Sequence, residues 1–295
     1  NTLLIPGTAD RAQTLTITGN LTLNNNSTSL FQVAELPTLI GAADRVDLSG
    51  DLEPNSSVLQ VDPIGYMTAG TYTLFTYGGS KTTAFGDLLG QPGSDVRFGW
   101  SGLNEGAGLV QLVVTGSSQS LVWDGFGTPT WDTTNTAAWA GGAERFFTFD
   151  RVVFDDTGSA SLPVNISGTV RPSGVVVSGA QNSVFTGSGS ISGWTDLDKS
   201  GTGTLWIATA NSFTGTVWIR EGTLVAAANL ALGSPLLGGT VVTNGGTLQI
   251  DGGVNISSEW VRISGQGVGS TGAIVAVGAT ASGLQRLSLD GDATI

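Results

Sequence analysis

The tripeptide Gly-Thr-Leu stands at Gly203, Gly222 and Gly246, at steps of 19 and 24 residues. A step of this size constrains the fold more than propensity does, because it is the length of one coil in a parallel β-solenoid. In such a coil, short strands joined by turns lie about 4.8 Å from their equivalents one coil earlier, and inward residues form a continuous ladder. Gly-Thr-Val at Gly168, Gly215 and Gly239 is expected to mark a second phase of the repeat. Period-two runs such as Thr14-Leu15-Thr16-Ile17-Thr18, Thr71-Tyr72-Thr73-Leu74-Phe75 and Thr216-Val217-Trp218-Ile219 read as short strands with one wet and one dry face. Gly19-Asn20, Gly78-Gly79 and Asn244-Gly245-Gly246 are turn signals between strands. The expectation is an all-β chain, a β-solenoid of about thirteen coils at ~22 residues each. A sandwich stays open for the first third, where the repeat is weaker.

Composition narrows the chemistry. With Cys 0 and His 0 among 295 residues, thiol nucleophiles, disulfides, Ser-His-Asp systems and the usual N/S zinc sites are all excluded. A net charge of -12 and only two lysines, Lys81 and Lys199, leave no basic stripe for nucleic acid or an anionic membrane surface. The longest apolar run, Leu224 to Leu232, is broken by Asn229 and falls short of the ~18 to 20 residues of a membrane helix, so no membrane-spanning segment is expected. The chain begins at Asn1 without a signal peptide, and it is expected to be a piece of a longer protein. Thr, Asn and Gly in place of ion pairs, without disulfides, suggest the outside of a cell. Gly116-Ser117-Ser118-Gln119-Ser120 reads as a linker, so two solenoid modules are expected, residues 1–116 and 117–295.

Leu197-Asp198-Lys199-Ser200-Gly201-Thr202-Gly203-Thr204-Leu205, then Ala210-Asn211-Ser212-Phe213-Thr214-Gly215, then Glu221-Gly222-Thr223-Leu224, resemble the autotransporter-associated β-strand repeat. That repeat has the form L-x-K-x-G-x-G-T-L, A-N-x-[YF]-[TS]-G and x-G-T-L. Ala231-Leu232-Gly233-Ser234 and Asn244-Gly245-Gly246-Thr247-Leu248 are similar to its continuation, so the strong likeness covers about 197–250. The resemblance implies a right-handed parallel β-helix, carried across the bacterial envelope to the cell surface and usually without enzymatic activity. It carries no catalytic residues to transfer, and no outer-membrane barrel is recognisable in the chain.

Two residue groups are candidate sites. Asp155-Asp156, and Asp196 with Asp198, are weak Ca²⁺ candidates, with Asp290 and Asp292 a further acidic pair; a β-helix can also degrade polysaccharides through such carboxylates. Their contexts favour turn residues that hydrogen-bond nearby backbone. Trp123, Trp131 and Trp139, eight residues apart, are candidate contact aromatics for a glycan or a partner, with interior packing as the bland account. Asn-x-Ser/Thr sequons at Asn20, Asn25, Asn26, Asn55, Asn165 and Asn255 are expected by chance in this composition, and Gly-Ser-Gly-Ser at 187–190 lacks the Lys of a phosphate loop. The expected function is a non-enzymatic extracellular structural protein, a stalk, sheath or fibre element that self-associates, needing no cofactor. An adhesin binding a surface glycan and a polysaccharide-acting enzyme are the alternatives.

Overall fold

The computed structural model describes residues 2–7, 12–34, 43–125, 127–158, 163–235, 237–256, 258–278 and 283–295. Strands dominate, and the one helical turn among the described residues is the 3-10 turn Val268–Ser270. The chain divides into two compact units, Asn1–Ser118 and Gln119–Ile295.

The second unit is a parallel β-helix. Eight strands stack in one sheet: Ser120–Val122, Arg151–Phe154, Gly174–Val177, Asp196–Lys199, Thr216–Ile219, Gly239–Val242, Trp260–Gly265 and Arg286–Ala293. Seven stack in another, from Thr130–Trp131 through Thr204–Ile207, Gly222–Ala226 and Gly246–Asp251 to Ile274–Val277. The alternation of each strand is what builds the interior. Leu205, Leu224, Leu248 and Ile274 are register partners in consecutive coils and none is more than 4% exposed. Val152, Val175, Leu197, Val217, Thr240 and Val261 form the facing column. Each such buried aliphatic side chain contributes about 1.5–3 kcal/mol, and the next coil supplies the surface that buries it.

The Gly-Thr-Leu recurrence is therefore the register itself: Gly222 pairs with Gly246, and Thr204, Thr223 and Thr247 are aligned. Gly-Thr-Val is not a second phase. Thr216 lies opposite Gly239, one residue out of step, and Thr169 belongs to a separate two-stranded ladder with Ser190. The ladder aligns inward-facing residues, so Val217 lies opposite Thr240, and Gly239 stands within its strand opposite Thr216.

The first unit uses longer coils and then changes direction. Thr14 lies opposite Arg45, and Thr28 opposite Val58, in parallel pairs about thirty residues apart. After Gly70–Tyr77 the same sheet continues antiparallel, through Leu109–Gly116 and then Phe98–Gly106. Ala107-Gly108 closes that hairpin with Gly108 at φ +79, a left-handed conformation glycine adopts without strain. Thirteen short coils are thus not reached: the first unit spends more residues per coil, and 98–116 do not coil at all.

Each unit encloses an aspartate bonded to two backbone N–H groups. In the first, Asp44 Oδ1 and Oδ2 accept hydrogen bonds from the backbone N–H groups of Gln13 (2.8 Å) and Gln32 (2.9 Å). In the second, Asp150 accepts from Gln119 (2.8 Å) and Phe147 (3.0 Å). Both carboxylates are completely buried.

Candidate functional site

The coil that opens at Leu197 encloses Lys199, Thr209 and Asn211, and its sequence explains each of them. Alternation from Leu197 directs Lys199 inward, where it is fully enclosed. Its Nζ donates to the carbonyl oxygens of Ser200 (3.2 Å), Gly201 (2.5 Å) and Glu221 (3.0 Å), tying a turn to the corner of the next coil. Burial pushes the ammonium pKa down to about 8, against the attraction of Glu221 and Asp198. Gly222 completes the clamp. At φ +71 it crosses this corner, and a Cβ there would stand 2.5 Å from the carbonyl oxygens of Gly201 and Gly203 and 2.8 Å from Lys199 Nζ.

Asn211 does the same work across three coils. Its Oδ1 accepts from the Ile191 N–H (2.9 Å) in the coil before, and its Nδ2 donates to the Ala231 carbonyl (2.9 Å) in the coil after. Thr209 fixes the amide from its own coil, through Oγ1 to Oδ1 (3.1 Å) and from Nδ2 to its carbonyl (3.2 Å). Phe213, 1% exposed, fills the corner beside it. In a dry interior each of these backbone groups would otherwise be unpaired at a cost of about 1–3 kcal/mol.

The acidic candidates are separately occupied. Asp155 Oδ1 accepts from the N–H and hydroxyl of Thr157, a local turn. Asp156 accepts from the N–H groups of Ala180 (2.9 Å) and Gln181 (2.9 Å), and these bonds hold its carboxyl below the usual range. Asp196 accepts from the Thr216 N–H (2.7 Å), while burial raises its pKa and the charge of Asp198 adds to that. Asp198 Oδ2 pairs with Arg220 (2.8 Å), whose guanidinium also lies 4.8 Å from the Trp218 ring. Asp290 pairs with Arg262 (2.7 Å). Among the described residues no group of three or more Asp and Glu converges as a metal site would require.

The tryptophans are placed against the expectation of a contact surface. Trp131 and Trp139 are fully buried and Trp123 is 4% exposed, so none presents a face to a glycan. They pack edge to face with one another, at 4.9 Å for Trp123–Trp139 and 5.6 Å for Trp131–Trp139, and against Phe146, Phe154 and Phe185. Ser120–Val122 and Thr130–Trp131 are the first strands of their sheets, so these rings fill the interior where no earlier coil of the unit does. Trp260 is the tryptophan among the exposed large hydrophobics, and the Arg286 guanidinium lies 5.6 Å from its ring centroid.

One cleft of about 180 Å³ opens at the corner formed by Asn229, Leu230, Gly233, Pro235, Asn255 and Ser258, with Glu259 in its lining. Glu259 is only 4% exposed and accepts from Thr240 Oγ1 (2.8 Å). Burial raises its pKa to about 7, opposed by the Thr240 bond and the charge of Arg286. Glu259 and the Asp44/Asp150 pair were not singled out by sequence reasoning. For Asp150 the signal was the recurrence of Asp-Arg-Val at 44–46 and 150–152; for Glu259 there was none.

No curated protein and no solved structure matches the chain. Residues 197–226 match the model of the family described as passenger-associated-transport-repeat. That span holds Lys199, Asn211, Phe213 and Gly222, so over this one coil the chain is similar to that repeat.

Proposed function

We propose that the protein is a non-enzymatic structural element of an exported bacterial surface protein, whose task is mechanical: to project or cover. The observation that carries this reading is the use made of the repeat's distinctive residues. Lys199, Asn211, Phe213 and Gly222 are consumed by coil-to-coil bonds and corner packing, which stiffen a stack of coils by summing nearest-neighbour terms. The passenger-associated repeat supports a place outside the cell. Antibody labelling of intact cells of the producing bacterium tests the location, with labelling only after permeabilisation as the result that overturns it. Electron microscopy of the native material distinguishes filament, layer and isolated rod. Incubation with a panel of acidic and neutral polysaccharides, with and without Ca²⁺, is expected to release no oligosaccharide; release would favour the enzyme reading.

A further inference from the structure

The two Asp-Arg-Val segments lie in equivalent places. In the first unit Gln13 precedes the strand Thr14–Ile17, which is the edge of its sheet, and Thr14 pairs with Arg45. In the second, Gln119 precedes Ser120–Val122, also the edge, and Ser120 pairs with Arg151. The offset is 31 residues in both, 45 less 14 and 151 less 120. Around each pair the bonds repeat. Arg45 N–H donates to the Gln13 carbonyl (2.9 Å) and Arg151 N–H to the Gln119 carbonyl (2.8 Å), while the preceding aspartate takes the glutamine N–H.

The likeness continues at the other end of the same strand. Asp51 Oδ1 accepts from the Ser80 N–H (2.7 Å) and Asp156 from the N–H groups of Ala180 and Gln181, in each case over a glycine of the following coil, Gly79 or Gly179. In the second unit the strand Ser120–Val122 has no earlier strand of its own sheet among the described residues, so fixing it has an entropy cost that no preceding ladder offsets. A buried carboxylate bonded to two backbone N–H groups makes this pairing of segments 31 residues apart charge-assisted.

We propose that Asp44 and Asp150 are nucleating residues, and that the chain carries two copies of one strand-pairing device, so that residues 119–295 fold into their own β-helix independently of 1–118. Asp44 and Asp150 act as positioning residues: each sets the register of the strand pair it joins, on which the following coils add.

The test uses the full 295-residue chain, in Asp44→Asn and Asp150→Asn variants, with refolding and unfolding followed by hydrogen exchange at individual amides. Asp150→Asn is expected to slow refolding of 119–295 about tenfold, with less change in its unfolding rate and none in the refolding of 1–118. Asp44→Asn is expected to give the mirror result. Ile263→Val, in a late coil, serves as the comparator: a merely structural loss speeds unfolding and leaves refolding alone. If the Asp150 variant never folds its own unit, protection retained across 1–118 still supports two independent devices. The proposal is overturned if either variant slows or unfolds both units together, or if Asp150→Asn behaves as Ile263→Val does.

Discussion

Replacing Asn211 by alanine removes an amide that bonds to three coils at once. The Ile191 N–H and the Ala231 carbonyl, each 2.9 Å from the side chain, lose their partners in an interior where Asn211 is 2% exposed. Water has no ready access to replace them. Two orphaned backbone groups at about 1–3 kcal/mol each, with the two bonds to Thr209 also lost, give an expected destabilisation of about 4 kcal/mol. Asn211→Asp separates the halves of the effect: a carboxylate still accepts from Ile191 and Thr209 Oγ1 but turns an oxygen toward the Ala231 carbonyl, so it is also destabilising. Urea unfolding followed by tryptophan fluorescence is the assay, since of the eight tryptophans only Trp100 lies in the first unit. A loss below about 1 kcal/mol for Asn211→Ala would refute the claim that this amide holds the coils in register.

Four further outcomes are expected. Because burial raises Glu259 from 4.5 to about 7, the folded state holds an extra proton between those values; its contribution to stability is greatest below pH 4.5 and declines by about 3 kcal/mol as pH rises to 7, and Glu259→Gln should flatten that part of the stability profile measured by urea unfolding. Gly222→Ala sets a Cβ against two carbonyl oxygens at φ +71 and should cost at least ~2 kcal/mol, read as a lower melting temperature. Trp131→Ala should cost ~3–5 kcal/mol as a core truncation, whereas a surface contact residue would leave melting unchanged. Excess Ca²⁺ and EDTA should give superimposable melting curves, since Asp155, Asp156 and Asp196 are each occupied by backbone donors.

The parallel coil was legible because its period is written twice, once in the Gly-Thr-Leu step and once in the inward column of Leu205, Leu224 and Leu248. Alternation puts Trp206 and Ile207 on opposite faces without saying which is inside, and the structure buries Ile207. What alternation does not encode is strand direction: Leu109–Gly116 reads like any parallel strand, and only the short Ala107-Gly108 connection marks the reversal. Spacing misled at the tryptophans. Eight residues between Trp123, Trp131 and Trp139 carries no facing information when the segment folds back on itself, as the antiparallel bridges from Trp139 to Trp123 and Glu144 show. The acidic pairs looked alike in sequence, and their different fates depend on which backbone N–H the next coil presents, a long-range fact. Lys199 sits two residues after the inward Leu197, so its burial followed from parity alone, but a charged side chain discourages that reading.

Of the chain's two lysines, Lys199 is sealed among carbonyls, and Lys81 bonds to the Thr83 carbonyl and to Glu105 with its side chain 14% exposed. Amine-reactive reagents therefore meet a folded protein with a single accessible side-chain amine. Acylation of Lys199 requires the second unit to open, which makes the rate of its modification a chemical clock for that opening. A covalent label counted by mass then reads the integrity of the coil stack in whole cells, where spectroscopy of one protein is impractical.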